Sequence, residues 1–172
     1  MNVTPLISPE TIAQRVEALA DALSRRYAGR EIVLLVVLKG GIVFAADLMR
    51  RMTIPVLVDF IRARSYEGTA SNGPVALGYL PETPLAGRDV VVVEDILDTG
   101  RTSQAILEWV RGQGAASAAV CVLLDKPSRR RVDIEADFAG MVIGDHFVVG
   151  YGLDYEQQGR QHPGIGILNA AD

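Results

Sequence analysis

The chain runs to 172 residues, 49% of them hydrophobic and 22% charged, a balance that suits one globular domain and excludes disorder or a fibrous repeat. A net charge of -4 and a pI near 5.2 supply no basic face for nucleic acid or an anionic membrane, so neither is expected as a partner. The single cysteine, Cys121, allows no disulfide within the chain, and MNVTPLISPE has neither region of a signal peptide; with no run near the roughly 18 apolar residues of a membrane span, a cytoplasmic protein is expected.

A first helix is expected over SPETIAQRVEALADALSRRYAG, with Ser8 as N-cap, Pro9 at the first helical position and Gly29 near the stop. Ile12, Val16, Leu19, Leu23 and Tyr27 form its apolar stripe. Glu31 to Leu38, EIVLLVVL, is apolar on both faces, as in a central strand covered by helices on each side. IVFAADLMRRM returns to helical spacing through Ile42, Ala45, Ala46 and Met49, and IPVLVDFIRA follows as a second apolar strand, which is the alternation of a βαβ unit. SYEGTASNGP, Ser65 to Pro74, is a polar loop, followed by the short strands VALGYL and VVVVED. TSQAILEWVRGQGA is a helix that stops near Gly112 or Gly114, and SAAVCVLLD is a further strand of the parallel type. The glycine-rich remainder has little helical period, so residues from about 138 to 172 are expected to form most of a small lobe over one end of the sheet. The whole chain, 1 to 172, thus reads as a single α/β domain: a parallel sheet flanked by helices, with a hood.

VVVVEDILDTGRTSQA, Val90 to Ala105, places Glu94, Asp95 and Asp98 where a buried strand ends. In open α/β sheets, ligands bind beyond the carboxyl ends of the strands, where a helix N-terminus offers free N–H groups and the positive end of its dipole. Gly100 and the hydroxyls of Thr99, Thr102 and Ser103 are suited to a phosphate monoester. Glu94 and Asp95 would repel that phosphate at contact distance, so they are expected to face neutral hydroxyls or a divalent cation. Neither the Walker nor the Rossmann glycine spacing occurs, which argues against nucleoside triphosphate hydrolysis and hydride transfer. Taken alone, KPSRRR, Lys126 to Arg131, reads first as a solvated loop and second as an anion- or nucleotide-binding edge, and Cys121 as a small buried hydrophobe. His146 and His162 show no metal-ligand spacing.

The 90–105 run resembles the phosphoribosyl pyrophosphate motif of type I phosphoribosyltransferases, and its Glu-Asp pair with Asp98 is similar to the 6-oxopurine branch, the hypoxanthine-guanine phosphoribosyltransferases. VVLKGGIVFAADLMRRM, VDFIRARSYEG, LLDKPSRR and DHFVVGYGLDY extend the resemblance, in the family order, over most of the chain. It implies that Glu94 and Asp95 engage the ribose hydroxyls and an associated magnesium ion, while Thr99, Gly100, Arg101, Thr102 and Ser103 wrap the 5-phosphate. Asp98 would be the general base at ring nitrogen 7 of the purine. LKGG resembles the pyrophosphate loop, which implies a cis peptide at Leu38-Lys39 and a role for Lys39 and Gly40 toward the leaving group; Ser65 and Tyr66, in a loop that closes over the substrates, would reach the same end. Lys126 would donate to the 6-oxo group and select oxopurines over adenine, Phe147 would stack on the base, and the Val148 backbone would read its edge. Asp154 matches an aspartate near a second magnesium ion and Arg160 an arginine on pyrophosphate, although Gly159 stands where the family usually has an aromatic, and His146 where a lysine or glutamate is usual.

The implied activity is transfer of a phosphoribosyl group from phosphoribosyl pyrophosphate to hypoxanthine or guanine, with Mg2+ as cofactor, in a homodimer or homotetramer. The rival is a regulatory module that keeps the fold but binds RNA or a protein; net acidity together with Asp98, Lys126 and DHFVVGYGLDY opposes it.

Overall fold

The computed structural model describes residues 2–65 and 75–169. The chain begins with a strand, Val3–Ile7 (β1), and enters its first helix, Pro9–Arg26 (α1). Ser8 Oγ caps that helix by accepting the Thr11 N–H at 3.2 Å, with Pro9 in the first turn, as the sequence anticipates. Ile12, Val16, Leu19 and Leu23, spaced four, three and four apart, turn one buried stripe inward. Ile32–Leu38 (β2), Gly41–Met49 (α2), Val56–Ser65 (β3), Val75–Leu77 (β4), Asp89–Leu97 (β5), Arg101–Gly112 (α3) and Ser117–Asp125 (β6) follow. A short 3-10 turn, Pro127–Arg129, leads to Phe138–Val142 (β7), Val148–Val149 (β8) and Ile165–Leu168 (β9). No helix among the described residues is long and apolar enough to cross a membrane.

The main sheet has the order β4-β3-β2-β5-β6-β7, parallel except for β4, which pairs antiparallel with β3. The central strands are apolar on both faces because both are covered. Ile32, Leu34 and Val36 of β2 share a core with α1 and α2, while Val33, Leu35 and Val37 share the other with α3.

A second, antiparallel sheet, β1-β9-β8, forms the hood. Its make-up corrects the boundary expected from the sequence. Residues 138–142 pair parallel with β6 and close the main sheet, and the outer hood strand comes from the N-terminus, Val3 opposite Leu168. Both strands are hard to read locally. β1 carries a proline and a register shift, tolerated because it is an edge, and β7 is a short edge strand with no fully buried residue.

Candidate active site

The carboxyl ends of β2, β5 and β6 converge on the hood. On β5, Val90 and Val92 point into the core shared with α3, and Val91 and Val93 into the core shared with α1 and α2. Period-two alternation therefore sends the next two residues, both carboxylates, to opposite faces. Glu94 lies toward α3, where Ser103 Oγ donates to its Oε2 at 2.5 Å. Asp95 lies against the loop that precedes α2, so close that a Cβ on Gly40 would sit 1.8 Å from its Oδ2. A side chain on Gly40 would displace the Asp95 carboxylate. Burial lifts the Glu94 carboxyl to about 8, helped by the Asp95 charge and opposed by Ser103. Burial likewise lifts Asp95 to about 6; its own N–H and that of Ile96 oppose the rise, as does Arg160, while Asp154 adds to it.

Beyond β5 the chain turns through Asp98 and Thr99 into Gly100, which has φ +83 and serves as the N-cap of α3 without a side-chain cap. A side chain there would meet Ile134 Cγ2 at 2.4 Å, so both the backbone and the space demand glycine. The first N–H groups of α3 thus face the cleft that Thr99, Arg101 and Thr102 surround, a geometry that accepts an anion. Asp98 is not an N-cap. It pairs with Arg129 at 3.3 Å, and Arg129 also lies 3.6 Å from Asp145.

Arg130 is a residue that the sequence reading passed over as part of a solvated run. Its Nη1 donates to Leu97 O at 2.8 Å and Asp98 O at 2.5 Å, its Nε donates to Ile134 O at 3.1 Å, and its Nη2 pairs with Asp125. One side chain thereby clamps the foot of the 98–103 loop to the end of β6. Lys126, next to it, is only 6% exposed; its backbone N–H donates to Leu97 O at 3.0 Å and its Nζ to His146 O at 2.5 Å. The adjacent Phe147 is 55% exposed and meets Tyr155 edge-on, with 5.8 Å between ring centroids. Val148 is buried in β8 opposite Ile167.

At the other end of the cleft the Leu38-Lys39 peptide is cis. Arg160 pairs with Asp154 at 2.7 Å and donates to Gly152 O at 2.6 Å. Asp154 also accepts the Gln157 N–H at 2.8 Å. Gln157, which sequence reasoning missed, accepts from Lys39 Nζ at 3.0 Å and from Arg160 at 3.4 Å, so it bridges two cations of the site. Gly159 has φ +95 and directs Arg160 back onto Asp154. The structure thus gathers Lys39, Gly40, Asp95, Asp154 and Arg160 at one end. Ser65 ends β3, paired with Val75; its side chain, Tyr66 and the rest of the loop through Pro74 lie outside the described residues.

The phosphoribosyl transferase domain model matches residues 7–156 of this chain. The chain belongs to the phosphoribosyltransferase family. This phosphoribosyltransferase is 41% identical over 167 residues to the hypoxanthine-guanine phosphoribosyltransferase of Bacillus subtilis, covering 96% of this chain and 93% of that protein. It is 39% identical over 164 residues to the enzyme of that name from Lactococcus lactis, covering 95% and 89%. The bifunctional protein TilS/HprT of Listeria monocytogenes is 41% identical over 164 residues, but the chain spans only 25% of its length. Among solved structures, the Bacillus anthracis hypoxanthine-guanine phosphoribosyltransferase superposes with a TM-score of 0.94 at 38% identity, over 98% of this chain and 100% of that one. A Staphylococcus aureus hypoxanthine phosphoribosyltransferase gives a TM-score of 0.93 at 38% identity, over 96% and 91%.

Proposed function

We infer that this chain transfers the 5-phosphoribosyl group from phosphoribosyl pyrophosphate to hypoxanthine or guanine, yielding IMP or GMP and pyrophosphate in purine salvage. The observation that carries this reading is Lys126, a buried ammonium hydrogen-bonded by its backbone to the foot of the phosphate loop and by Nζ to the segment that presents Phe147. A donor held in that place meets the 6-oxo group of an oxopurine and is left unpaired opposite an amine, which disfavours adenine.

The other roles follow the family resemblance of the motifs. Thr99, Gly100, Arg101, Thr102 and Ser103, at the N-terminus of α3, receive the 5-phosphate. Glu94 and Asp95 face the ribose hydroxyls; burial keeps a proton on Glu94 near neutral pH, so the negative charge that stabilises the cationic ribose of an oxocarbenium-like transition state is chiefly that of Asp95. Asp98 accepts or returns the proton on ring nitrogen 7 once Arg129 yields its carboxylate. Phe147 stacks on the base with the face that Tyr155 leaves open, and the Val148 backbone reads the base edge. Lys39, Gly40, Arg160, Ser65 and Tyr66 serve the pyrophosphate end.

Magnesium fits this donor set. Asp95 and Asp154, at one end of the cleft, offer hard oxygens, with Glu94 on the other face of β5. That suits an ion which takes one or two carboxylates and completes its shell with substrate phosphates and water. When bound it would neutralise charge on the leaving pyrophosphate. Ile42, Met49, Val58, Tyr79 and Leu80 leave apolar surface exposed, which supports a homodimer or homotetramer, testable by sedimentation. The free, buried Cys121 accords with a reducing cytoplasm.

The test is incubation with magnesium and phosphoribosyl pyrophosphate against hypoxanthine, guanine, xanthine, adenine and uracil in parallel, following nucleoside monophosphate by chromatography. Product from hypoxanthine or guanine and none from adenine or uracil is expected. No product from any base would sink the reading, and bound donor without turnover would favour a regulatory module.

A further inference from the structure

Gly150, Tyr151 and Gly152 have left-handed backbone in succession, at φ +105, +50 and +98. A tyrosine in that region costs about 1 kcal/mol or more and persists only where its surroundings hold it. Tyr151 is held twice. Its ring is 7% exposed, within the core shared with α1 and α2. Its hydroxyl donates to Asp47 Oδ2 at 2.6 Å, and the other oxygen of Asp47 pairs with Arg50.

This hydrogen bond closes a ring of contacts around the pyrophosphate end of the cleft. Asp47 lies on α2, whose first residue, Gly41, follows Gly40 directly, so the helix sets the distance from Asp47 to Gly40. Across the cleft, Gly152 rests on Gly40: a Cβ at Gly152 would come 2.3 Å from Gly40 O. Gly152 also carries Arg160, accepting from its Nη1 at 2.6 Å and donating to its carbonyl at 3.0 Å. The path runs from Gly40 along α2 to Asp47, across to Tyr151, on to Gly152 and back to Gly40. Without the Tyr151–Asp47 link the turn keeps the buried ring and the Tyr151 N–H bond to His162 O at 2.8 Å but loses its tie to α2, so its seat on Gly40 loosens and Arg160 and Asp154 shift with it.

We propose that Tyr151 and Asp47 are positioning residues for the pyrophosphate end of the donor substrate: their hydrogen bond seats the 150–154 turn on Gly40 and so fixes Arg160 and Asp154 against Lys39 and Asp95. Neither residue needs to touch the substrate. The identity of the ligand rests on the transferase reading above; the mechanical link does not.

Tyr151→Phe removes the hydroxyl and keeps the ring, Asp47→Ala removes the acceptor, and Asp47→Asn keeps an oxygen that can still accept. Each variant and the Tyr151→Phe/Asp47→Ala pair would be measured by calorimetry for binding of magnesium phosphoribosyl pyrophosphate without base, and by steady-state kinetics for donor and hypoxanthine KM. Donor affinity is expected to weaken about five- to tenfold in Tyr151→Phe and Asp47→Ala, with no further loss in the pair because both remove one bond. Asp47→Asn should retain most of the affinity, and hypoxanthine KM should stay within about twofold throughout. Unchanged donor affinity in Asp47→Ala, or donor and base weakening by the same factor, would overturn the proposal. If the wild type binds donor yet forms no nucleotide, the transferase reading fails while the calorimetric comparison still decides the link. If it binds no donor, both fall.

Discussion

Replacing Arg130 by methionine tests the clamp beneath the 98–103 loop. Methionine keeps much of the stem volume but removes hydrogen bonds to Leu97 O, Asp98 O and Ile134 O and the pairing with Asp125. Leu97 O keeps the Lys126 N–H, so the uncompensated losses are Asp98 O, Ile134 O and above all the Asp125 carboxylate. Hydrogen bonds to charged groups contribute about 1.5 to 3 kcal/mol each, and removing one partner of a buried pair costs about 3 to 5 kcal/mol. The Arg130 and Asp125 side chains are 15% and 14% exposed, enough for some water to reach the abandoned groups. About 3 kcal/mol is therefore the expected loss. For a chain of this size each kcal/mol moves the melting temperature by about 2 to 4 °C, so a drop of roughly 6 to 12 °C should appear by calorimetry or circular dichroism. Adding Asp125→Asn removes the orphaned charge and should restore about half of the loss. Donor binding should weaken in both variants, because the 98–103 loop has lost its anchor either way. A loss below about 1 kcal/mol in Arg130→Met, or no recovery with Asp125→Asn, would show that the clamp is not what holds the loop.

Lys126→Met should lower kcat/KM for hypoxanthine about 10- to 100-fold with the fold intact, since an apolar side chain replaces a buried ammonium; a change under about threefold would count against the oxo-group contact. Phe147→Ala should raise KM for the base about tenfold or more and leave donor KM unchanged, as loss of a stacking face predicts; equal effects on both substrates would argue for a structural role. The two raised carboxylates make stability of the unliganded protein depend on pH. Burial lifts Glu94 from 4.5 to about 8 and Asp95 from 3.8 to about 6, so the folded protein keeps protons that the unfolded chain has released. Stability should then fall as pH rises from about 4 through about 8 and level off above. Denaturation midpoints at about pH 6 and about pH 8 should differ in the wild type, and in Glu94→Gln the difference should shrink to the small part that Asp95 leaves; an undiminished slope would refute the assignment to Glu94.

Much of the site was legible before the fold was known, because its parts are short runs of chain with local reasons. The loop from Asp98 to Ser103 needs glycine for its backbone, and the cap of α1 needs Ser8 and Pro9 side by side. The role of Arg130 was not legible. Three arginines stand together at 129–131, and only the path of the turn after β6 decides that the middle one goes inward. Gln157 escaped for a similar reason, since its partner Lys39 lies 118 residues away.

What the sequence determined by itself rests on short-range physics: the helical stripe of α1, the strands apolar on both faces, and the carboxylates, glycine and hydroxyls gathered at the end of β5. These depend on residue period and on groups within a few positions of each other. Tertiary structure alone decided which strands are neighbours, placing β1 beside β9 in the hood and β7 in the main sheet. It also decided that Glu94 is held by Ser103 while Asp95 rests on Gly40, and that a tyrosine and an aspartate 104 residues apart join the two lobes. Apart from Glu94 and Ser103, which share the 90–105 run and needed only the turn between them to be known, such pairings join distant segments through a shared surface, and no short window of sequence contains both partners.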